Sequence, residues 1–133
     1  MRKALFILAL LFVFMPGSTL PAYASPPVTA SGVFTATEVT ETSATFAVSG
    51  DFEGIVVQYF RPGRADEFTF TGTLNGVEGS FSGILLEAVQ KPVGYMTLQD
   101  AEGGLEYMHA QGIFTVNPDG VTGTYSINYH FDP

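Results

Sequence analysis

The sequence predicts an all-β protein: a closed antiparallel up-and-down barrel of about eight short strands, with a two-sheet β-sandwich as the alternative. Three observations predict it. From Ala30 onward no segment carries a helical apolar period. Runs rich in Val, Ile, Thr, Phe and Tyr recur roughly every ten residues instead. The links between them are short and glycine-bearing, which favours antiparallel neighbours, because a parallel crossover needs about a dozen residues or more. A meander of this kind leaves two unpaired edges unless it closes on itself. Eight strands enclose just enough room for packed side chains or one small ligand.

The elements follow in order. Ser25-Pro26-Pro27 opens an extended lead-in over residues 25–29, since proline fixes φ and removes a donor. The barrel domain is expected over residues 30–133. Its predicted strands are Ser31–Val39, Thr42–Ser49, Ile55–Arg61, Glu67–Leu74, Val77–Val89, Val93–Leu98, Leu105–Val116 and Val121–Phe131. Arg61-Pro62-Gly63-Arg64 has the Pro-Gly centre of a type II turn. Asn75-Gly76 is the strongest hairpin signal in the chain. Asn117-Pro118-Asp119-Gly120 suits a type I turn followed by a left-handed glycine. Asp100-Ala101-Glu102-Gly103-Gly104 is expected to be a loop with several carboxylates.

The first 24 residues have a separate character. Arg2 and Lys3 precede an apolar run from Ala4 to Met15, Pro16-Gly17 breaks it, and Ala22-Tyr23-Ala24 offers small residues for cleavage. This is the order of a secretory signal peptide, and the run is too short for a membrane-spanning helix of about 20 residues. Residues 1–24 are therefore expected to be removed, giving a periplasmic or extracellular protein. Without Arg2 and Lys3, only Arg61, Arg64 and Lys91 stand against 13 carboxylates, a net charge of −10.

That charge excludes nucleic acid as a partner, which would require a basic patch to displace phosphate counterions. It argues equally against attachment to anionic membranes after the leader is gone. The absence of cysteine excludes disulfides, thiolate metal sites and a cysteine nucleophile. No Gly-x-Ser-x-Gly elbow, phosphate loop, dinucleotide fingerprint, calcium loop or His-Glu-x-x-His spacing occurs. No cofactor is expected. No metal is expected either, because His109 and His130 fall on different strands.

Alternation separates an inner from an outer face. Val121, Tyr125, Ile127, Tyr129 and Phe131 share one side of the last run, with Thr122, Thr124, Ser126, Asn128 and His130 on the other. Phe68, Phe70 and Leu74 likewise oppose Glu67, Thr69, Thr71 and Thr73. The aromatic face is expected inside; an outer-membrane barrel would turn it toward lipid, but many of the strands are short for that and the chain ends in Asp132-Pro133. Ile55-Val56-Val57 and Ile84-Leu85-Leu86 are apolar on both faces, which predicts an outer cover: the N-terminal arm, a loop, or a second subunit in a homo-oligomer.

Three strings carry a family resemblance: Ser49-Gly50-Asp51-Phe52-Glu53-Gly54, the stretch from Phe70 through Asn75-Gly76 to Phe81, and the stretch from Gly123 to Phe131. In that order they resemble a bacterial uncharacterised family with an allene-oxide-cyclase-like barrel, over about residues 30–131. The resemblance implies a barrel that binds a hydrophobic substrate and steers its folding or stereochemistry, with trimers among the plant members. The leader and the run Gln90-Lys91-Pro92-Val93 depart from the pattern, and no catalytic motif carries over.

The residues give three functional expectations: a small hydrophobic molecule bound in the lumen, a cofactor-free isomerase or cyclase, or a filled structural module. Tyr107 and His109 share a face with Gln111; turned inward, they would form a polar strip that orients a ligand, and turned outward a surface strip. His109 could then act as acid or base. Glu87 is in phase with Phe81 and Leu85, so it either points inward as a catalytic carboxylate or reaches solvent at the barrel mouth. Glu87, Tyr107 and His109 are the catalytic candidates. Tyr59, Arg61, Tyr95, Tyr107, His109, Tyr125 and Tyr129 are the candidate ligand contacts.

Overall fold

A computed structural model describes residues 26–88 and 91–133. The expected leader, Ser25, Gln90 and the predicted strand end at Val89 lie outside the described residues. Eight strands run in chain order: β1 (Val28–Val39), β2 (Ser43–Gly50), β3 (Phe52–Tyr59), β4 (Asp66–Leu74), β5 (Val77–Glu87), β6 (Val93–Gly103), β7 (Met108–Val116) and β8 (Thr122–Phe131). Each pairs antiparallel with the next, and β8 pairs back onto β1 from Val28↔Tyr129 to Thr35↔Thr122, closing the barrel. The up-and-down barrel is therefore the architecture, and the sandwich is not.

The turns behave as their residues dictate. Asn75 and Gly76 both take positive φ, the requirement of the two-residue hairpin turn. Gly63 does so at the third position of its turn, where Arg64 N–H donates to Arg61 O at 3.2 Å. Gly120 N–H donates to Asn117 O at 2.9 Å in the last turn.

Four boundaries differ from expectation. Val28 and Thr29, read as lead-in, already pair with Tyr129 and Asn128. β3 begins at Phe52, inside a glycine- and acid-rich stretch that reads as a turn. Residues 100–103 are not a loop: they pair with Gly79–Ser82 after Gln99 is inserted as a bulge opposite the Ser82/Gly83 step. Conversely Leu105 lies in the β6–β7 link, not in a strand, and is fully buried.

The inner face is aromatic, the opposite of what an outer-membrane barrel presents to lipid. Phe52, Phe68, Phe70, Phe81, Tyr125 and Tyr129 are buried together. Phe70 stacks on Phe81 with ring centroids 4.8 Å apart, and Phe52 meets both at 5.4 and 5.6 Å. Such ring pairs contribute about 0.5–1.5 kcal/mol each beyond the area they bury. Glycines make room for rings elsewhere: Gly32, Gly94 and Gly123 sit directly across from Tyr125, Phe114 and Phe34, and a Cβ at any of them would strike the ring or hydroxyl opposite. On the outside, Ile55 and Leu86 remain exposed, so the expected cover over the two apolar runs is not supplied by the described arm or loops.

Candidate functional site

An up-and-down barrel has two ends. The links after β1, β3, β5 and β7 gather at one, and those after β2, β4 and β6 gather at the other with the outer ends of β1 and β8. The second end is a floor. Leu105 descends into it from the β6–β7 link, packed in one cluster with Leu74, Met108 and Tyr129, and Phe52 is 1% exposed just above.

The first end is a mouth. Beneath it an apolar cavity of about 310 Å³ reaches down to Phe52, Phe70 and Phe81. Its upper wall carries Phe34, Phe46 and Phe114, three half-buried rings in edge contact at 5.6 and 6.3 Å. This volume suits a small organic molecule, at the lower end of ordinary ligand pockets.

Polar groups in the wall are few. The Tyr125 hydroxyl reaches past Gly32 to the β2–β3 turn, where it accepts the Phe52 N–H at 3.0 Å. Its own proton is shared between Ser49 O at 3.0 Å and Phe52 O at 3.2 Å. Burial is the largest influence on this phenol and raises its pKa above 10.0, outweighing the Phe52 hydrogen bond that lowers it. The hydroxyl is committed to the backbone and only its ring faces the cavity.

Gln58 is different. It points inward from β3 in phase with Phe52 and Val56, is buried at 4% exposure and lines the cavity. Its amide N–H donates to Asp66 Oδ2 at 2.7 Å, and Asp66 Oδ1 holds the Arg61 N–H at 3.0 Å. A carboxylate only accepts, so this bond fixes which way the amide points. The amide oxygen, Oε1, is left without a hydrogen-bond partner among the described residues. A buried acceptor in that condition costs about 1–3 kcal/mol unless something satisfies it.

The sequence-predicted residues divide by strand parity. Tyr125 and Tyr129 face inward, Tyr125 onto the cavity and Tyr129 into the floor. Glu87 lines the cavity and reaches solvent at the mouth. Tyr59, Tyr95 and Tyr107 lie on the outer surface, each well exposed. Arg61 is absorbed by its own turn, donating to Ala65 O at 2.8 Å and pairing with Glu67 at 3.3 Å. His109 also faces outward, so Tyr107, His109 and Gln111 form a surface strip and no polar strip enters the lumen. The inward reading fails because Met108, Ala110 and Phe114 occupy the inner positions of β7. The signal missed was Gln58, the lone polar residue in the apolar phase of its run.

No family model matches the chain, and no curated protein matches it. What the structure supports is the closed eight-stranded antiparallel barrel itself.

Proposed function

We propose that the protein binds a small, largely apolar molecule in the mouth-side cavity, and that this molecule carries one hydrogen-bond donor, such as a hydroxyl, aimed at Gln58 Oε1. The unpartnered, buried Gln58 acceptor in an otherwise phenylalanine-rich wall is the observation that carries the proposal. The apolar surface supplies affinity at roughly 25 cal/mol per Å² buried, and the single polar group supplies orientation. Binding rather than turnover is favoured because the lining sets no acid opposite a base: Glu87 is at the solvent edge and the Tyr125 hydroxyl is occupied. The leader expected in residues 1–24 supports reading this protein as an exported binder of the periplasm or the outside of the cell.

The test is calorimetric titration with a medium-chain primary alcohol and with the alkane of equal length. The alcohol is expected to bind more tightly by about five- to ten-fold, the worth of one net hydrogen bond. Gln58→Leu should abolish that preference while keeping alkane binding. Absence of saturable binding by either compound, or an alcohol preference that survives Gln58→Leu, would sink the reading.

A further inference from the structure

His109 and His130 were separated by the sequence onto different strands, but those strands are neighbours and the two residues are direct cross-strand partners on the outer face. Their rings stack with centroids 5.1 Å apart and planes 11° apart. His109 Nε2 meets Asp132 Oδ2 at 2.6 Å, and Asp132 is itself placed by its N–H donating to Tyr107 O at 3.0 Å. One potential ligand atom from each of His109, His130 and Asp132 lies within 4.8 Å of the others.

We propose that these three side chains form a binding site for a divalent late first-row transition ion, zinc or copper. Two imidazoles and one carboxylate are the donor set such ions take, with bonds of about 2.0–2.2 Å and an open position for water. Tetrahedral ligands around zinc stand roughly 3.4 Å apart on that bond length. Asp132 and His109 must part by less than the width of an atom, and His130 must close by a rotamer adjustment, which its partly exposed position allows. The ion takes the place of the hydrogen between His109 Nε2 and Asp132 Oδ2, and the neutral imidazole keeps its single N–H, carried on Nδ1 instead. The surroundings favour a cation: the same end of the barrel carries Asp51, Glu53, Glu78, Glu102 and Glu106, while the three Lys and Arg of the described residues all sit in links at the mouth. The site lies at the floor, away from the cavity, so it stands or falls independently of the lumen.

The test is titration of untagged protein, expressed from the full chain, with zinc chloride. Saturable one-to-one binding is expected, lost in His109→Ala and in His130→Ala and weakened in Asp132→Asn, with each variant's fold checked by circular dichroism in chelator. Copper should selectively broaden the His109 and His130 ring signals in the NMR spectrum of the unsubstituted protein, a readout that needs no variant to fold. Zinc binding that persists unchanged in the double histidine variant, no saturable binding at all, or broadening that spares both rings would each overturn the proposal.

Discussion

The two ends of this barrel are made from the same eight strands and differ in almost everything else. At the floor, large side chains from successive strands meet and Leu105 enters from a link, leaving a recess bordered by Leu74, Val77, Tyr129 and Phe131. At the mouth, Phe34, Phe46 and Phe114 stand against the wall and leave space between them. Packing at the floor buries the aromatic core, and the mouth-side cavity is the one that reaches down the barrel axis to Phe52. An eight-stranded barrel is thus neither filled nor hollow by virtue of its strand number, and the distribution of ring and link side chains along its axis decides which half is which.

Several substitutions would break or sharpen that contrast. The largest effect is expected from Phe52→Ala, which removes the ring between floor and cavity: about 3–5 kcal/mol of stability by chemical denaturation, on the scale of buried phenylalanine truncations. A loss below about 1 kcal/mol would mean that the floor is not the stabilising half. Tyr125→Phe should cost about 1–3 kcal/mol, because the Phe52 N–H loses its acceptor. Tyr125 also has an alkaline signature. Its folded pKa is raised, so its contribution is fully present below the unfolded value near 10 and is lost as pH rises through the folded one. The alkaline decline should be shallower in Tyr125→Phe.

A matched pair tests the two halves directly. Ala30 is buried on the floor side of β1 and Ala36 lines the cavity on the mouth side. Ala30→Phe should cost about 1–3 kcal/mol by overpacking. Ala36→Phe should cost less and instead eliminate alcohol binding. Equal costs would show the two ends to be equally full.

The smallest effect belongs to the mouth-side turn. Asp119 accepts N–H bonds from Thr122 and Val121 and the Thr122 hydroxyl proton, and these lower its pKa from 3.8. A depressed carboxyl contributes stability above its unfolded pKa and loses it as pH falls through the folded one. Asp119→Asn should therefore differ from the parent slightly near neutrality and converge with it below about pH 4.

What was legible in the sequence follows from what is local. Asn75-Gly76 and the Asn117–Gly120 turn dictated their own backbones, and period-two alternation assigned the faces of β4 and β8 correctly. β6 was cut short because one bulged residue, Gln99, breaks the alternation, and the carboxylates that follow it resemble a loop. Tyr125 and Tyr129 fall on the inner face as alternation predicts, whereas Tyr59, Tyr95 and His109 take outward positions on β3, β6 and β7, and Gln58 lies among apolar neighbours of its run. The meeting of His109 and His130 was within reach, since the Asn117–Gly120 turn sets the β7–β8 register. The unpartnered Gln58 oxygen was not, because it depends on where Asp66 lies in three dimensions.

The closure of β8 onto β1 has a kinetic consequence. Seven of the strand pairings join neighbours along the chain, and the eighth joins its two extremes. Local hairpins form readily, whereas the seam must wait for the whole chain to be gathered, at a loop-closure cost that grows with the length enclosed. The seam is expected to set the pace of folding, which stopped-flow refolding of the parent and of a permuted chain would check. Permuting the chain, so that β8 leads directly into β1 and the break falls in a mouth link, would turn the slowest pairing into another hairpin.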